Sequence, residues 1–456
     1  MKQLVRVIHF TGIGGIGMSG IAEVLHNQGF VVQGSDLVES ATVARLRRLG
    51  IPVWRGHRAE HLGAAEVVVV TSAVRGENPE VAEAHARGIP VIPRAEMLAE
   101  LMRMKRGVAV AGSHGKTTIT SLIAHGMEQA GFDPTFVIGG RLIAGGENAR
   151  LGASPWLVAE ADESDGSFLR LSPMITVISN IDPEHLDHYG TVERLEQAFT
   201  DFANRTPFYG CAVLHHSHPR VAGIRARLHK PVRTYGVSPQ ADVTLQARVV
   251  RGMRQQLTVA VRGEPQPLSL ELALPGAHNA ENVLAAVAVL HRLGVDPEAI
   301  AAGIASFGGI ERRFQVDQLL GGVLVDDYGH HPAEIAATIA TAREAWPDRR
   351  LVALFQPHRY SRTQALLDRF ADVFDAVHEL HLLPIYSAGE EPIAGADSAA
   401  LADRLRRRGH RAVALLDDLD AAEACCRDRL AAGGVVLLLG AGSIGSVARA
   451  LRGASG

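Results

Sequence analysis

The 456-residue chain predicts an α/β protein of three domains in series. Three observations carry that expectation. Apolar strand-like runs alternate with helical stretches throughout, the rhythm of parallel sheets covered by helices. The length exceeds what a single core of about 100–200 residues serves. Two Gly-rich turns, Gly12–Gly17 and Gly112–Gly115, each follow an apolar run, so two separate units begin in the same way.

Residues 1–106 form the first expected domain, with strands at Val5–Phe10, Val31–Gly34, Val67–Thr71 and Ile89–Ile92, and a helix over Ile21–Asn27. Apolar Met97, Leu98, Leu101, Met102 and Met104 recur at helical spacing, which predicts a helix over Ala95–Arg106 leading into the next domain. The second domain, 107–313, opens on strand Val108–Ala111. It continues with strands Leu157–Ala161 and Ile175–Asn180, a β-rich stretch through Thr258–Leu274, and helix Ala280–Leu293. The third, 314–456, repeats the alternation with strands Gly322–Asp326, Arg350–Phe355, Leu380–Ile385, Val413–Leu416 and Gly434–Leu439.

Hydrophobic residues at 47% and charged residues at 21% are ordinary for a globular enzyme. A net charge of −3 offers no basic field for a nucleic-acid backbone, so no nucleic-acid partner is expected. No signal peptide and no membrane span are legible, and Cys211, Cys425 and Cys426 make no disulfide framework. A cytoplasmic, reduced protein is expected. The chain has only four lysines against 42 arginines, so Lys116 in the second Gly-rich turn points to a need for a compact ammonium.

In the first turn, Gly12-x-Gly14-x-x-Gly17 has the Rossmann-like spacing. Glycines let the backbone approach a pyrophosphate at a helix N-terminus, and Asp36 stands where a ribose hydroxyl would be met. A tight strand-to-helix turn is the plain alternative, preferred for the second copy, Gly440-x-Gly442-x-x-Gly445. The turn Gly112-Ser113-His114-Gly115-Lys116-Thr117-Thr118 carries the elements of a triphosphate site, although Val110 replaces the first glycine of the usual pattern. Glu160, Asp162, Glu163 and Asp165 in "VAEADESDGSF" suit a Mg²⁺ station, against the alternative of a solvated acidic loop. Asp182, Glu184, His185, Asp187 and His188 end another strand, and polar groups gathered at strand ends of one α/β domain favour a site. His278, Asn279 and Asn282 precede an apolar helix as either cap or nucleotide contact. Arg359 and Arg362 could clamp a carboxylate.

The ordered blocks GIGGIGMSG, GSDL, GSHGKTTITSL, FVIGGRL, AEADESDGSF, NIDPEHLDHY, HNAENVLAA, ERRF, DDYGHHPAEI, QPHRYSR and GAGSIG, from about residue 7 to 447, resemble the Mur ligases, and among them those that add L-alanine. The resemblance implies a Rossmann-like N-terminal domain holding the UDP end of UDP-N-acetylmuramate. It implies a central P-loop-type ATPase domain for ATP and Mg²⁺, and a C-terminal Rossmann-like α/β domain that closes over both and presents L-alanine. Both glycine turns then hold phosphates, of two different substrates. The implied reaction phosphorylates the lactyl carboxylate to an acyl phosphate, which the alanine amine attacks.

By the same resemblance Lys116, His330 and Arg359 are catalytic, and Mg²⁺ lies on Thr117, Glu160 and His185. ATP is held by Gly112, Ser113, His114, Gly115, Lys116, Thr117, Thr118, His278, Asn279, Asn282, Arg313 and Asp327. Gly14, Gly15, Gly17, Ser35, Asp36, Ser72, Arg94 and His114 take the UDP-sugar, and Tyr328, His330, His358, Arg359 and Arg362 the amino acid. His330 is the expected base, on the ground that an imidazole titrates near neutrality. No lysine lies between Lys116 and Lys230, so the modified lysine that related ligases set on a second metal has no counterpart. A monomer or homodimer is expected. The rivals are a ligase recycling a tripeptide onto the same UDP-sugar, a folate-polyglutamating ligase, an NAD-dependent dehydrogenase and a non-catalytic UDP-sugar-binding protein.

Overall fold

The computed structural model of the protein describes residues 1, 4–71, 74, 78–143, 146–410 and 412–453. Two compact units emerge, one of Met1–Arg248, Leu257–Glu271 and Glu281–Gly308, the other of Val249–Gln256, Leu272–Ala280 and Gly309–Gly456. Among the described residues the longer strands assemble three sheets.

The five-stranded sheet of the first unit runs, in spatial order, Val53–Arg55, Val31–Asp36, Val7–Thr11, Val67–Val70 and Val91–Pro93, all parallel. The order reverses beside Val7–Thr11, so the glycine turn after Thr11 sits at the switch point where doubly wound sheets bind ligands. Helix Ile16–Asn27 starts five residues before the expected Ile21. Its first turns are written in Gly17, Ser19 and Gly20, which carry no apolar period; a Cβ at Gly20 would lie 2.9 Å from the Ala149 Cβ. Close packing, rather than propensity, sets that segment.

A ten-stranded sheet has Arg106–Ala111 near its middle, flanked in parallel by Ile175–Ile178 and Trp156–Glu160. Val108 to Ala111 are fully buried in sequence, because a parallel strand covered on both faces is apolar throughout. Strands Cys211–His215 and Val232–Gly236 extend the sheet beyond what the sequence reading placed.

The second unit carries a six-stranded sheet in the order Gln315–Leu319, Gly322–Asp327, Val435–Leu439, Leu351–Phe355, Glu379–Leu382, Val413–Leu415. Its first strand is antiparallel to the second, joined through Leu320 and Gly321 with φ of +53° and +85°, a two-residue hairpin turn. The sequence QVDQL has too little apolar character to announce that edge strand. No helix among the described residues is long and apolar enough to cross a membrane.

Candidate active site

Strand Arg106–Ala111 runs into turn 112–115, and helix Lys116–Gln129 starts directly after it. Gly112 and Gly115 have φ of +135° and +83°, and a Cβ on them would lie 2.1 Å from Ser179 Oγ and 2.6 Å from Asn282 Oδ1. Neither place admits a side chain. The end of the neighbouring strand holds the turn. The His114 N–H donates to Asn180 Oδ1 at 2.7 Å, Ser179 Oγ donates to the His114 carbonyl at 2.6 Å, and the Asp182 N–H donates to Ser113 Oγ at 2.9 Å. The His114 ring lies 3.1 Å from Asp182 and 3.0 Å from Glu184. Hydrogen bonds from His114 and then His218 hold the Asp182 carboxyl far below the usual carboxylate range.

Lys116 Nζ donates to the Gly112 carbonyl at 2.6 Å and to both oxygens of Glu163 at 2.8 and 2.9 Å. Burial alone would lower this ammonium, but Glu163, Asp162 and Glu160 outweigh it and the pKa is raised. Burial also pushes Glu163 up to about 7, against the pull of Lys116. His185 Nε2 lies 3.9 Å from Glu163 Oε1, and the almost buried Thr117 follows Lys116 in the first helical turn. Arg94 donates to Asp162 at 3.3 Å, and a Cβ on Gly17 would lie 2.4 Å from its Nη1. The Arg94 side chain thus spans from the first glycine turn to the acidic loop beside Lys116.

In the first turn the Gly14 N–H donates to Asp36 Oδ2 at 2.8 Å, and the Val38 N–H to Oδ1 at 3.0 Å. Gly15 is exposed at the cap of helix Ile16–Asn27. Ser35 is fully buried and donates to Glu80 at 2.7 Å. Burial would raise Glu80, but His9, Ser35 and Thr11 bond to it and hold it down to about 2.

In the second unit Asp327 accepts the Phe314 and Gly329 N–H groups, each at 2.7 Å, and burial raises its pKa. Arg312 and Arg313 stand over the Tyr328 ring at 5.1 and 5.2 Å. His330 Nδ1 donates to the Tyr328 carbonyl at 3.2 Å, which leaves Nε2 as the unprotonated nitrogen of the neutral ring. Burial pushes both His330 and His358 down to about 4. Arg362 Nη1 lies 3.2 Å from His358 Nδ1 and donates to it, since guanidinium has no acceptor. Arg359 starts helix Tyr360–Val373 at φ +70°, a strained value for a side-chain-bearing residue.

The description "Mur ligase family, catalytic domain" matches residues 7–106, "Mur ligase middle domain" 110–290, and "Mur ligase, glutamate ligase domain" 312–442. A UDP-N-acetylmuramate–L-alanine ligase of Sorangium cellulosum is 52% identical, over 98% of this chain and 96% of its own. The chain belongs to the Mur ligase family. It has that family's three-domain α/β architecture. Among solved structures, the UDP-N-acetylmuramate–alanine ligase of Thermotoga maritima matches with a TM-score of 0.83 at 29% identity, covering 99% of each chain. A murein peptide ligase of Psychrobacter arcticus shares the fold, with a TM-score of 0.75 at 22% identity and 99% coverage of each.

Within this Mur ligase several expected residues stand differently from the sequence reading. Asp36 caps its own glycine turn through the Gly14 and Val38 N–H groups, and Ser35 is spent inside the protein on Glu80. Glu160 ends its strand with Oε1 on the Gly139 N–H at 2.7 Å, whereas Glu163 reaches Lys116 and His185. Nothing in the run "EADE" separates the two. The left-handed Gly166 after it folds the loop back, and the Gly166 N–H bonds the Glu163 carbonyl. The near-neutral titration that motivated His330 as the base is replaced by a value near 4, because the ring is buried. Asp327 has both carboxylate oxygens bonded by backbone N–H groups, which fixes the loop after strand Gly322–Asp327.

Asn279 Nδ2 donates to the Pro275 carbonyl at 2.8 Å, near the start of helix Ala277–Arg292. A Cβ on Gly276 would lie 2.7 Å from the His278 ring, and Asn282 meets the turn at Gly115. Ser72 lies outside the described residues. Asn180, which fixes the His114 N–H, reads in the sequence only as a strand end.

Proposed function

We propose that the protein is an ATP-dependent ligase that joins L-alanine to the lactyl carboxylate of UDP-N-acetylmuramate. The observation that carries this reading is the Lys116 turn. A half-buried ammonium is fixed at a helix N-terminus by the Gly112 carbonyl and Glu163, in a chain about half identical over its full length to a ligase of that name. Residues 1–106 take the UDP-sugar, 107–313 ATP, and 314–456 the amino acid.

A carboxylate attacking a phosphoryl group brings anion to anion, so the barrier is electrostatic and preorganised positive charge lowers it. Lys116, whose N–H groups go to the Gly112 carbonyl and the Glu163 carboxylate, stands at the helix N-terminus and meets the β- and γ-phosphates by exchanging those partners. The N–H groups of the 112–115 turn add the helix N-terminal field. Thr117 and Glu163 supply a hydroxyl and a carboxylate beside Lys116, oxygen donors that would fit Mg²⁺ with Glu163 in place of Glu160, and His185, 3.9 Å from Glu163, adds the imidazole that the resemblance implies. Bound there, the metal would supply charge neutralisation and orientation of the phosphates. Arg94, between Gly17 and Asp162, is placed to receive the anionic muramoyl end.

Phosphoryl transfer leaves an acyl phosphate. The amine of alanine attacks its carbonyl carbon, the C–O bond to phosphate breaks, and the amine proton must leave. His330, neutral at pH 7 with Nε2 available, serves as a weak acceptor. Arg359 and Arg362 suit the alanine carboxylate.

The reading is tested by phosphate release from ATP and Mg²⁺ with UDP-N-acetylmuramate, comparing L-alanine, L-Ala-γ-D-Glu-meso-diaminopimelate and no acceptor. Release that requires L-alanine, with the amide product seen by mass, is expected; release only with the tripeptide would assign the recycling reaction instead.

A further inference from the structure

The third glycine motif, Gly440-x-Gly442-x-x-Gly445, follows strand Val435–Leu439 and has the spacing of a phosphate turn. In the fold it is filled by the protein itself. The Ile444 N–H donates to Gln356 Oε1 at 2.9 Å, and Gln356 Nε2 donates to Ser443 Oγ at 3.0 Å. A Cβ on Gly445 would lie 2.6 Å from the Arg312 guanidinium carbon. A Cβ on Gly442 would lie 2.6 Å from the Gln356 Oε1 and 2.6 Å from both the Cβ and the Cγ of Tyr386. The absence of a side chain at 442 therefore makes room for Tyr386 and the Gln356 amide.

Tyr386 is in turn fixed to the His358 loop. Its N–H donates to the Pro357 carbonyl at 2.9 Å, its carbonyl accepts the Arg359 N–H at 2.8 Å, and a parallel bridge pairs it with His358. Its ring stacks on the imidazole of His358 at 5.4 Å with an interplanar angle of 16°, while 41% of the residue remains exposed. His358 also lies 5.6 Å from the His330 ring and accepts from Arg362. Tyr386 thus fixes the plane of the ring around which His330, Arg359 and Arg362 gather.

We propose that Tyr386 is a positioning residue for the amino-acid substrate, acting through His358, and that Gly442 is the socket that seats it. The inference rests on the reading of His358, Arg359 and Arg362 as the amino-acid site. Alanine is a small ligand with few contacts, so misplacing one ring of its site weakens its capture while the nucleotide and UDP-sugar sites are untouched.

The experiment measures initial rates of phosphate release with each substrate varied in turn. Unchanged protein is assayed first: no alanine-dependent release would overturn the ligase reading itself. Given that release, Tyr386→Ala and Tyr386→Leu each raise KM for L-alanine about tenfold, the scale of a lost stacked pair. KM for ATP and for UDP-N-acetylmuramate stays within about twofold, and Tyr386→Phe, which keeps the ring, restores the wild-type KM. Gly442→Ala reproduces the effect of Tyr386→Ala. An unchanged KM for alanine in the Leu variant overturns the inference, as does an equal loss for all three substrates, which would mark Tyr386 as merely structural.

Discussion

At the scale of single residues the proposed chemistry turns on Lys116 and Glu163. Lys116→Ala removes the cation and leaves the buried Glu163 without its partner, so kcat for phosphate release falls by at least about a hundredfold. Lys116→Arg does not rescue it, because a planar guanidinium cannot fit the point contact with the Gly112 carbonyl and both Glu163 oxygens. The two candidate carboxylates separate cleanly. Glu163→Gln raises the Mg²⁺ concentration for half-maximal rate by about tenfold or more, and Glu160→Gln, whose oxygen holds a backbone N–H, by less than about threefold. A magnesium titration of the two variants checks this, and the reverse order would return the metal to Glu160.

At the scale of elements, each site is a strand running into a turn, and the backbone of the turn is fixed by groups from a neighbouring strand or helix. Gly115→Ala forces a Cβ toward Asn282 and strains a left-handed residue, so ATP binding measured by calorimetry weakens at least about tenfold while the fold persists. The strands and turns at residues 7–15, 106–116 and 435–442 are legible in the sequence because buried parallel strands are continuous apolar runs closed by glycine. What the glycines serve is not legible. Gly14 and Gly17 admit Asp36 and Arg94, and Gly442 admits Tyr386, partners that lie 22, 77 and 56 residues away in the chain. A local pattern records the vacancy and not its occupant. The same reason hides that Glu163 rather than Glu160 meets Lys116, in a loop turned back at Gly166, and hides the edge strand Gln315–Leu319, which is polar because one side faces solvent.

For the whole molecule, buried neutral histidines tie stability to pH. His215 stacks on Tyr235 at 5.0 Å, and burial pushes it down to about 4. In the unfolded chain it titrates near 6.5. Its contribution is therefore complete above pH 6.5 and is lost as pH falls toward 4, because the unfolded state takes the proton first. Between pH 7.5 and 5 the wild-type chain should lose about 2 kcal/mol more stability than His215→Gln, measured by urea unfolding at the two pH values. Equal losses would mean that His215 is not held neutral.

In the proposed reaction one activated carboxylate links ATP cleavage at the Lys116 turn to amide formation. This link is tested most directly by following oxygen: UDP-N-acetylmuramate carrying ¹⁸O in its lactyl carboxylate is turned over with ATP, Mg²⁺ and L-alanine, and the released phosphate is weighed by mass spectrometry. One labelled oxygen in each phosphate, in step with the amide product, is the predicted result. Unlabelled phosphate accompanying amide formation would show that the carboxylate never attacked the γ-phosphoryl group, and would contradict the account.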